Sequence, residues 1–322
     1  MKTKAAFFTN QPDKIKTVFA QGRHEQLREL CEIYPLIITH DNIDNALPAL
    51  HDIEVIISSW GMLTLTDRQL DNMPELKAVF YAAGSTDYFS SPLLARHITI
   101  SSAWQANAIP VAEFCLAQIL LACKGYFHNL RQYDHPSTFV ALSTQPMAPG
   151  IYGEKVALLG AGAISQYLTT LLQPFYLEVM TIPSRKENRT VSLEEAFEQA
   201  FVISNHFPNR ADNRGVIDET LLRRMRHGAV FINTGRGLQV NEQALINVFS
   251  ERTDLTALLD VTKPEPPIES SPLYRLPNVL LTSHIAGSIN DETVRLADYI
   301  LEEIRRWKNG DPLCYAVSAS FS

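Results

Sequence analysis

The sequence has few cysteines, and they do not form a metal or redox motif. Its 322 residues include only four cysteines, and no two of them have the short C-x-x-C spacing of a zinc or dithiol site. The first residues, MKTKAAFFTNQPDK, also lack the long apolar core and the cleavage site of a signal peptide. We therefore expect buried free thiols and a cytoplasmic location, where thiols stay reduced.

Clustered positive charge and long apolar runs are missing as well. Lysine and arginine number 28 against 35 acidic residues, which gives a formal charge of −7, and no run of Lys and Arg is longer than two residues. This balance argues against a nucleic-acid-binding surface or a basic membrane-surface helix. The most apolar stretch, Ile109 to Cys123, contains Glu113 and Gln118 and is shorter than the roughly 20 residues that span a bilayer. We expect it to be a buried helix, and we expect small molecules rather than nucleic acid or membrane to be the partners.

Short apolar runs recur along the chain and alternate with segments in which apolar residues are spaced three or four apart. Such runs are typical of strands buried on both faces of a parallel sheet, with helices between them. Because a chain of this length fits two cores, we predict the α/β class, with two doubly wound parallel-sheet domains in succession. The predicted strands are 5–10, 36–40, 55–60, 78–84 and 98–103 in the first domain, and 155–160, 177–182, 201–207, 229–235, 255–261 and 278–287 in the second.

Two helical patterns flank the second series of strands. Residues 110–126 form the first pattern, and residues 135–150, which contain proline and serine, are predicted to be a loop. The last pattern, 291–309, carries apolar residues at helical spacing and ends at Gly310. A terminal helix of this kind can pack on either domain.

A glycine-rich turn follows the first strand of the second series. The run KVALLG leads into GAGAIS and then into a helical pattern, which is the order that the dinucleotide-binding fingerprint requires. Gly160 permits the tight turn, and Gly162 lets a pyrophosphate approach the helix N-terminus. That helix begins at Ala163 and Ile164, which we expect to contact the cofactor, and Ser165 replaces the third glycine. The alternative is a βα turn that needs glycine only for its conformation.

The loop about 20 residues further on decides between NAD and NADP, because a carboxylate there binds the ribose hydroxyls and a cation tolerates a 2′-phosphate. Pro183 stands at the place expected for the acidic residue. It is followed by Ser184, Arg185 and Lys186. A hydroxyl and two cations suit a phosphate, so we predict that NADP is preferred and that NAD remains possible. Two alternatives stay open: the loop is only a solvated basic segment, or Glu187 reaches the ribose.

Three polar residues stand just beyond apolar strands in the second half of the sequence. Arg236 lies between glycines in TGRG, Glu265 between prolines in KPEPP, and His284 in SHIAG. Ligands of open α/β sheets bind at the carboxyl ends of the strands, so we expect the three side chains to converge there. Taken singly, each has a structural alternative: a surface cation, a loop carboxylate and a structural histidine.

With these motifs the sequence resembles the D-2-hydroxyacid dehydrogenase family, in which an arginine, a glutamate and a histidine occur in this order. The motifs are NTGRG, DVTKPEP, SPLYRLPNVLLTSHIAG, GAGAIS and NAIPVAEFCLAQILLA, and the resemblance covers residues 77–287. It is closest to NADP-using glyoxylate and hydroxypyruvate reductases. The chain departs from the family at Ser165, in the missing acidic residue near Pro183, and in a shortened segment over residues 189–200.

A 2-keto acid presents a carboxylate beside a carbonyl, and the three polar residues suit both groups. Arg236 offers a planar fork that can hold the carboxylate and polarise the carbonyl. His284 would act as the general acid in reduction and as the base in the reverse reaction, while Glu265 would pair with it and orient the ring. We therefore expect hydride transfer between NAD(P)H and a small 2-keto acid or D-2-hydroxy acid.

The resemblance also implies further contacts to the cofactor and to the substrate. Besides the glycine turn and the loop after it, the implied cofactor-binding residues are His206, through its backbone, and Phe207, Pro208, Thr234, Gly235, Asp260, Ala286 and Gly287. Besides Arg236 and His284, the implied substrate-binding residues are Trp60, Ala83, Gly84 and Ser85. Gly84 permits close approach of a carboxylate to the backbone, and for Trp60 a place in the core is the alternative.

For the domains, the resemblance implies a Rossmann dinucleotide-binding domain inserted into a flavodoxin-like substrate-binding domain. The inserted domain is predicted to cover residues 103–286, and the other domain residues 1–102 and 287–322. A homodimer is implied as well, with residues 110–150 as its interface.

Two other functions share this fold. A dinucleotide-sensing binding protein or corepressor is the alternative from a different class, and the intact Arg236, Glu265 and His284 weigh against it. Formate-type enzymes of the same superfamily lack the glutamate partner of the histidine, so Glu265 disfavours that branch. The identity of the 2-keto acid is left open.

Overall fold

The computed structural model describes residues 2–144 and 147–318. This part of the chain forms two compact units, one made of residues 2–108 together with 288–318 and the other of residues 109–287. The first unit is therefore discontinuous, and the second is inserted into it.

Strands and helices alternate along both units, as the apolar runs predict. The strands are β1 (Thr3–Phe8), β2 (Cys31–Ile33), β3 (Val55–Ser58), β4 (Ala78–Tyr81), β5 (Thr99–Ser102), β6 (Glu154–Leu159), β7 (Leu177–Ile182), β8 (Val202–Asn205), β9 (Val230–Asn233), β10 (Thr256–Leu259) and β11 (Val279–Leu281). The α-helices are α1 (Pro12–Val18), α2 (Arg23–Leu30), α3 (Ile43–Ala46), α4 (Asp67–Asp71), α5 (Ser90–Leu94), α6 (Trp104–Cys123), α7 (Tyr126–Gln132), α8 (Thr138–Thr144), α9 (Ala163–Leu172), α10 (Leu193–Gln199), α11 (Glu219–Arg223), α12 (Glu242–Glu251) and α13 (Val294–Asn309). Short 3₁₀ turns cover Leu47–Ala49, Lys186–Asn188, Ala211–Asn213, Gly237–Gln239, Pro272–Tyr274 and Asn290–Thr293.

The first unit contains a parallel sheet in the order β2-β1-β3-β4-β5, which is the flavodoxin-like order. Apolar side chains of α1, α2 and α13 are buried in one core, and those of α3, α4 and α5 in another. On α13 the buried residues Leu296, Ile300 and Ile304 recur every four positions and form one face. The last helix therefore packs on the first unit, and it ends at Gly310, whose φ of 78° lies in the left-handed region.

The second strand of the first unit is not where the apolar pattern places it. The run 36–40 is predicted to be a strand, but β2 is formed by Cys31–Ile33, and Ile38 makes only an isolated bridge to β1. Pro35 has no amide hydrogen to donate, and Leu36 is 57% exposed. The chain therefore pairs with β1 over Cys31–Ile33, leaves it at Pro35 and Leu36, and meets it again only at Ile38.

The second unit contains a parallel sheet in the order β11-β10-β9-β8-β6-β7. The direction of winding reverses between β6 and β8, and the glycine-rich turn follows β6, at the switch point where ligands of such sheets bind. The strands of this sheet share a single core of buried apolar residues with the helices α6, α7, α9, α10, α11 and α12. The predicted α/β class with two doubly wound parallel sheets is confirmed.

Strand β7 forms an edge of this sheet, since within the described residues it pairs only with β6. In the Rossmann order 3-2-1-4-5-6, a further strand lies outside the second one. Here β7 is followed by the 3₁₀ turn Lys186–Asn188 and then by α10, which begins with a capping box between Ser192 and Glu195. The shortened segment noted over residues 189–200 is the place where that outer strand is omitted.

The helix at the junction of the units is longer than predicted. The pattern over 110–126 predicts a start at Pro110, yet α6 begins at Trp104 and contains Pro110 in its interior. Proline removes one amide donor, and the helix continues because the residues after it bury their apolar face in the core. Gly125, with a φ of 71°, separates α6 from α7.

The segment predicted to be a loop, residues 135–150, contains helix α8. Pro136 and Ser137, which indicated a loop, directly precede this helix. Both residue types are favoured where helices begin, so they mark a helix start. Gln145 and Pro146 of this segment lie outside the described residues.

By length and composition, α6 could cross a membrane, so the sequence argument from the shortness of its apolar run is wrong. Half of the most apolar 18-residue stretch of α6 is buried within the structure. Its residues Cys115, Ile119 and Ala122 belong to the core of the second unit. A single helix of this kind is weak support for a membrane span, because the core helix of a soluble protein can be equally long and equally apolar.

Candidate active site

The glycine-rich turn after β6 has the shape that a dinucleotide requires. Gly160 has a φ of 119°, and a Cβ there would lie 2.5 Å from the carbonyl oxygen of His206, so only glycine fits. Gly162 precedes α9, and a Cβ at this position would meet no heavy atom within 4 Å. Helix α9 begins at Ala163 and Ile164 without a side-chain cap, which leaves its first amide hydrogens for an anion. These residues therefore fit the pyrophosphate of a dinucleotide.

The loop after β7 borders a cavity of about 310 Å³ that is rich in cations. The cavity is lined by Ser184, Arg185, Lys186, Glu187, Arg189, Arg210, Asp212, Asn213 and Val216. Arg185 and Lys186 are exposed, and Glu187 and Asp212 are the carboxylates of this lining. The structure thus brings the predicted 2′-phosphate residues together at one cavity, with two carboxylates beside them.

Two arginines of this cavity, Arg189 and Arg210, were not found by sequence analysis. Arg189 Nε and Nη2 donate hydrogen bonds to the carbonyl oxygens of Pro183 and Ser184, at 2.9 and 2.8 Å. Burial lowers the pKa of Arg189, and its guanidinium lies 5.9 Å from the centroid of the Phe207 ring. Arg210 Nη1 donates to Ser184 Oγ at 3.3 Å. Arg189 therefore fixes the backbone of the loop. Arg210 lies beside the serine and is itself paired with the Asp212 carboxylate, through Nε at 2.9 Å and through Nη2.

The His206 ring, in the loop after β8, is buried and uncharged at neutral pH, because burial lowers its pKa to about 3. Its Nε2 lies 2.9 Å from Ser204 Oγ, and its Nδ1 lies 3.2 Å from Thr234 Oγ1. Thr234 Oγ1 is 3.4 Å from the Sγ of Cys115, and burial raises the pKa of that thiol to about 11. The ring and Thr234 are thus both occupied by buried contacts, and the backbone amide of His206 donates to the carbonyl oxygen of Leu159 at 2.7 Å. The cofactor contact expected from the backbone of His206 stays a prediction.

Arg236 follows β9 and lies in a loop that depends on its two glycines. The side chain is half-buried, and its Nη1 donates to the carbonyl oxygen of Gly235 at 2.8 Å. A Cβ at Gly235 would lie 2.6 Å from Gln239 Oε1, and a Cβ at Gly237 would lie 2.0 Å from the carbonyl oxygen of Thr262. Since Thr262 belongs to the loop after β10, the loops that carry Arg236 and Glu265 are in direct contact.

His284 and Glu265 form a pair at the end of the sheet. Strands β9, β10 and β11 are neighbours, so the loops that follow them lie side by side. His284 Nδ1 is 2.6 Å from Glu265 Oε1, and the two side chains are 51% and 42% exposed. His284 has a φ of 58°, a left-handed conformation that is uncommon for residues other than glycine and is concentrated at functional sites. The structure therefore brings together the histidine and glutamate that the sequence predicts as a pair.

Asp260, at the end of β10, holds the loop that carries His284. Its carboxylate is buried; Oδ1 accepts hydrogen bonds from Thr282 Oγ1 at 2.6 Å and from the amide of Ile285 at 2.8 Å. Its Oδ2 accepts from the amide of Ala286 at 3.0 Å. Three donors from one loop thus bind this carboxylate, which fixes the residues on both sides of His284. Its predicted contact with the cofactor stays a prediction, as do those of Ala286 and of Gly287.

In the first unit, the predicted substrate-binding loop follows β4. Ala83 is buried, Gly84 is half-buried and Ser85 is exposed. The Ser102 hydroxyl donates to the carbonyl oxygens of Ala83 and Gly84, at 2.9 and 2.6 Å. A Cβ at Gly84 would lie 3.5 Å from Asn107 Nδ2. The carbonyl side of this loop is therefore fixed by β5.

Trp60 follows β3 and packs against both cores of the first unit. Its carbonyl oxygen accepts a hydrogen bond from Thr9 Oγ1 at 2.7 Å, and Lys14 Nζ lies 5.5 Å from its ring centroid. The ring is only partly buried. Trp60 therefore contributes to the core. Only the exposed part of its ring is able to contact a substrate, so its place in the wall of the substrate site stays a prediction.

Comparison with known proteins identifies the family of the second unit. The family described as D-isomer specific 2-hydroxyacid dehydrogenase, NAD binding domain, matches residues 116–286, which is more than half of the chain. The chain belongs to the D-isomer-specific 2-hydroxyacid dehydrogenases. The matched residues include the glycine-rich turn and the loops of Arg236, Glu265 and His284, so the resemblance stated from the sequence is confirmed.

Curated relatives of this 2-hydroxyacid dehydrogenase are similar over most of its length. A glycerate dehydrogenase of Methylorubrum extorquens is 27% identical, over 76% of this chain and 79% of its own. A glyoxylate reductase of Korarchaeum cryptofilum is 27% identical, over 74% of this chain and 75% of its own. The apo structure of D-mandelate dehydrogenase from Rhodotorula graminis has the same fold, with a TM-score of 0.81 at 22% identity over 98% of this chain and 97% of that one. The present enzyme is thus an oxidoreductase of 2-hydroxy acids with a domain for a nicotinamide cofactor.

Several polar residues of this dehydrogenase site were missed because their partners are distant in sequence. Arg210 stands 26 positions after Ser184, with no motif that connects them. Gln239 carries a weak signal, because it is an amide between Leu238 and Val240 in a segment next to the sheet. A buried polar residue in an apolar stretch needs a partner, and this rule could have identified Gln239 as part of the site.

Proposed function

We propose that this enzyme reduces a small 2-keto acid, such as glyoxylate or hydroxypyruvate, to the D-2-hydroxy acid, and that NADPH is its preferred reductant. The observation that carries the proposal is the His284–Glu265 pair at 2.6 Å, which stands beside the loop of Arg236 at the carboxyl ends of neighbouring strands. The names of the glyoxylate reductase and glycerate dehydrogenase relatives support the substrate class.

The proton step falls to His284 and Glu265. Because Nδ1 of the histidine is bonded to the carboxylate, Nε2 is the atom left to donate a proton to the carbonyl oxygen of the substrate. The carboxylate keeps the ring in one orientation, with Nε2 directed away from the pair. In the reverse direction, the same Nε2 accepts the proton of the hydroxyl group.

Arg236 is proposed to bind the carboxylate and the carbonyl oxygen of the keto acid. The residue is half-buried, and Nη1 of its guanidinium already donates to the Gly235 carbonyl oxygen. The remaining donors form a planar fork that matches a carboxylate. When bound, the reduced nicotinamide supplies the hydride that adds to the carbonyl carbon.

The two units would divide the binding tasks. We assign the cofactor to the inserted unit, predicted as residues 103–286 and compact over 109–287, because it contains the glycine-rich turn. We assign substrate contacts from Trp60 and from the loop of Gly84 to the other unit, predicted as residues 1–102 and 287–322. Thr234, Gly235 and the residues 206–208 would contribute cofactor contacts from the ends of β8 and β9.

The cavity after β7 supports the preference for NADPH. Ser184, Arg185 and Lys186 line it, and Arg210, which is paired with Asp212, donates from Nη1 to the serine hydroxyl. These groups are the donors that a 2′-phosphate needs. NADH remains a possible cofactor, because Glu187 at the same cavity is able to bind ribose hydroxyls.

An absorbance assay tests this function directly. The full chain is incubated with NADPH or with NADH and with glyoxylate, hydroxypyruvate or pyruvate, and loss of the absorbance of the reduced cofactor is followed. We expect turnover with at least one keto acid and a higher kcat/KM for NADPH than for NADH. A chain that binds NADPH tightly but oxidises it with no keto acid would support the sensing alternative, and a preference for NADH would overturn the cofactor assignment.

We further propose that the enzyme is a homodimer. Apolar side chains are exposed along the segment from α6 to α8: Leu121 at 39%, Tyr126 at 45%, Leu130 at 61%, Tyr133 at 52%, Phe139 at 56% and Val140 at 65%. Large apolar patches of this kind mark interaction surfaces, and this one lies in the region 110–150 predicted from the sequence. Light scattering on a size-exclusion column should give twice the mass of 36.1 kDa; the mass of one chain would contradict the proposal.

We place the reaction in the cytoplasm. Cys31, Cys115 and Cys123 are buried and Cys314 is exposed, and all four are free thiols. This state suits a reducing compartment. Fractionation of cells that express the chain should recover the activity with the cytosol.

A further inference from the structure

Three buried amide side chains lie between the loop after β8 and the loop after β9. Asn205 is at the end of β8, Asn233 is at the end of β9, and Gln239 lies in the 3₁₀ turn after Arg236. Each of the three is at most 2% exposed. Burial of an amide is unfavourable unless its donors and acceptors are bonded, so these contacts have to be accounted for.

Gln239 contacts both loops. Its Oε1 accepts hydrogen bonds from the backbone amide of Arg236 at 3.0 Å and from Asn205 Nδ2 at 2.7 Å. Its Nε2 donates to the carbonyl oxygens of Phe207 and Pro208, at 2.7 and 3.0 Å. One side chain therefore holds the backbone of the proposed substrate-binding arginine and the backbone of the predicted cofactor loop.

The two asparagines complete the network. Asn205 Nδ2 also donates to Asn233 Oδ1 at 2.9 Å, and the Oδ1 of Asn205 accepts from the amide of Phe207 at 3.2 Å. Asn233 Oδ1 accepts a second bond from the amide of Gly235 at 3.1 Å, and its Nδ2 donates to the carbonyl oxygen of Arg236 at 3.4 Å. The amide and the carbonyl of Arg236 are thus both bound by this network.

The glycine before Arg236 is matched to the network as well. A Cβ at Gly235 would lie 2.6 Å from Gln239 Oε1 and 2.8 Å from Asn205 Nδ2. The amides therefore occupy the space that a side chain would need. An apolar residue at position 239 would leave the Arg236 amide and one of the two Asn205 Nδ2 hydrogens without an acceptor, which is costly in a buried site.

We propose that Gln239 is a positioning residue, which with Asn205 and Asn233 fixes the backbone of Arg236 relative to the cofactor loop 206–208. The inference rests on the proposed function, in which Arg236 binds the keto acid. Small displacements of a substrate-binding group lower the rate steeply. The network therefore couples substrate binding at Arg236 to cofactor binding at residues 206–208.

Two variants of Gln239 separate the two ends of the network. Gln239→Leu removes both the acceptor and the donor, and we expect the KM for glyoxylate and the KM for NADPH both to rise by about tenfold or more. Gln239→Glu keeps oxygens toward Arg236 and Asn205 but lacks the amide donor toward residues 206–208. We expect this variant to raise mainly the KM for NADPH and to retain a KM for glyoxylate within about threefold of that of the wild type. Gln243→Leu, at an exposed glutamine of α12, is the matched control and should change neither value.

Hydrogen exchange gives a readout that does not depend on turnover. By mass spectrometry of the full chain, the peptide over residues 233–240 should exchange about tenfold faster or more in Gln239→Leu than in the wild type and in Gln243→Leu. Unchanged exchange, or KM values that rise equally in the Leu and Glu variants, would overturn the inference. If the wild type reduces no keto acid while the exchange difference is present, the proposed function fails and the structural role of the network stands.

Discussion

The loops after β7 and β9 both belong to the proposed NADPH-dependent site, but they are held in different ways. The loop after β7 presents exposed cations, Arg185 and Lys186, to an open cavity that also contains carboxylates. The loop after β9 is held by buried amides, and its glycines are in contact with neighbouring loops at distances that exclude a side chain. The first depends on surface charge, and the second depends on packing and on buried hydrogen bonds.

This difference shows where the fold tolerates change. Exposed ion pairs contribute about 0–1 kcal/mol each, so residues of the loop after β7 can vary without loss of the fold. Unbonded buried polar groups cost about 1–3 kcal/mol each, so residues of the loop after β9 cannot. The proposed preference for NADPH therefore rests on the loop after β7, which tolerates change, whereas Arg236 and His284 lie in the loops after β9 and β11, which buried hydrogen bonds hold.

The largest effect is expected when the proposed acid–base group, His284, is removed. His284→Ala should lower kcat by about 10²–10⁴ and leave the Kd of NADPH unchanged, because the imidazole acts on the proton alone. Stopped-flow or steady-state kinetics together with fluorescence titration measure both values. His51→Ala, at an exposed histidine, is the control. A His284→Ala enzyme with most of its turnover intact would refute the assignment.

Substitution of two glycines, Gly237 and Gly162, tests the comparison of the loops through the stability of the folded chain. Gly237→Ala should lower the free energy of unfolding by about 3 kcal/mol, because the new methyl group meets the Thr262 carbonyl oxygen at 2.0 Å. Gly162→Ala should leave the Tm of the apo chain unchanged, since no heavy atom lies within 4 Å of its Cβ position, but it should weaken NADPH binding.

Thermal unfolding with and without NADPH distinguishes the two variants. The comparison fails if both lower the apo Tm equally, or if Gly162→Ala is stabilised by NADPH as strongly as the wild type.

The buried histidine behind the rigid loop should make the fold sensitive to acid. Burial lowers the pKa of His206 to about 3 in the folded chain, from the ordinary value of 6.5 for a histidine. Between these pH values the unfolded chain binds a proton that the folded chain does not, so the stability that is present above pH 6.5 is lost as the pH falls. The slope for one such group is about 1.4 kcal/mol per pH unit.

Chemical denaturation of the wild type and of His206→Gln at pH values from 7 to 5 measures this loss. The variant should show the shallower dependence on pH, because its amide does not titrate. Parallel curves for the two proteins would mean that another group governs the acid sensitivity.

The smallest effect is expected from a substitution in the exposed loop after β7. Arg185→Ala should lower kcat/KM for NADPH by about tenfold or less, leave kcat/KM for NADH unchanged and leave the Tm unchanged, because an exposed cation contributes to the phosphate and little to the fold. Arg275→Ala, at another exposed arginine of the same unit, is the matched control. Equal losses with both cofactors would show that the residue does not read the 2′-phosphate.

The parts of the fold that follow from local patterns were predictable. The strand KVALLG, the turn at Gly160 and the helix after it form from neighbouring residues, and so does the end of α13 at Gly310. The wrong predictions concern places where a local rule competes with strand pairing or with packing. Pro110 indicated a helix start but lies inside α6. The apolar run 36–40 was predicted to be the second strand, but Cys31–Ile33 is the segment that pairs with β1.

The sequence alone determined the family motifs and the two-domain α/β organisation, because these depend on short patterns that are readable residue by residue, and it predicted that His284 pairs with Glu265. Only the tertiary structure decided which distant polar groups meet. Asn205 reaches Asn233 across 28 positions and Gln239 across 34, and Arg210 reaches Ser184 across 26. Parallel strands are adjacent in the sheet although helices separate them in sequence, so the partner of a buried amide is set by the order of the strands rather than by its neighbours in the chain.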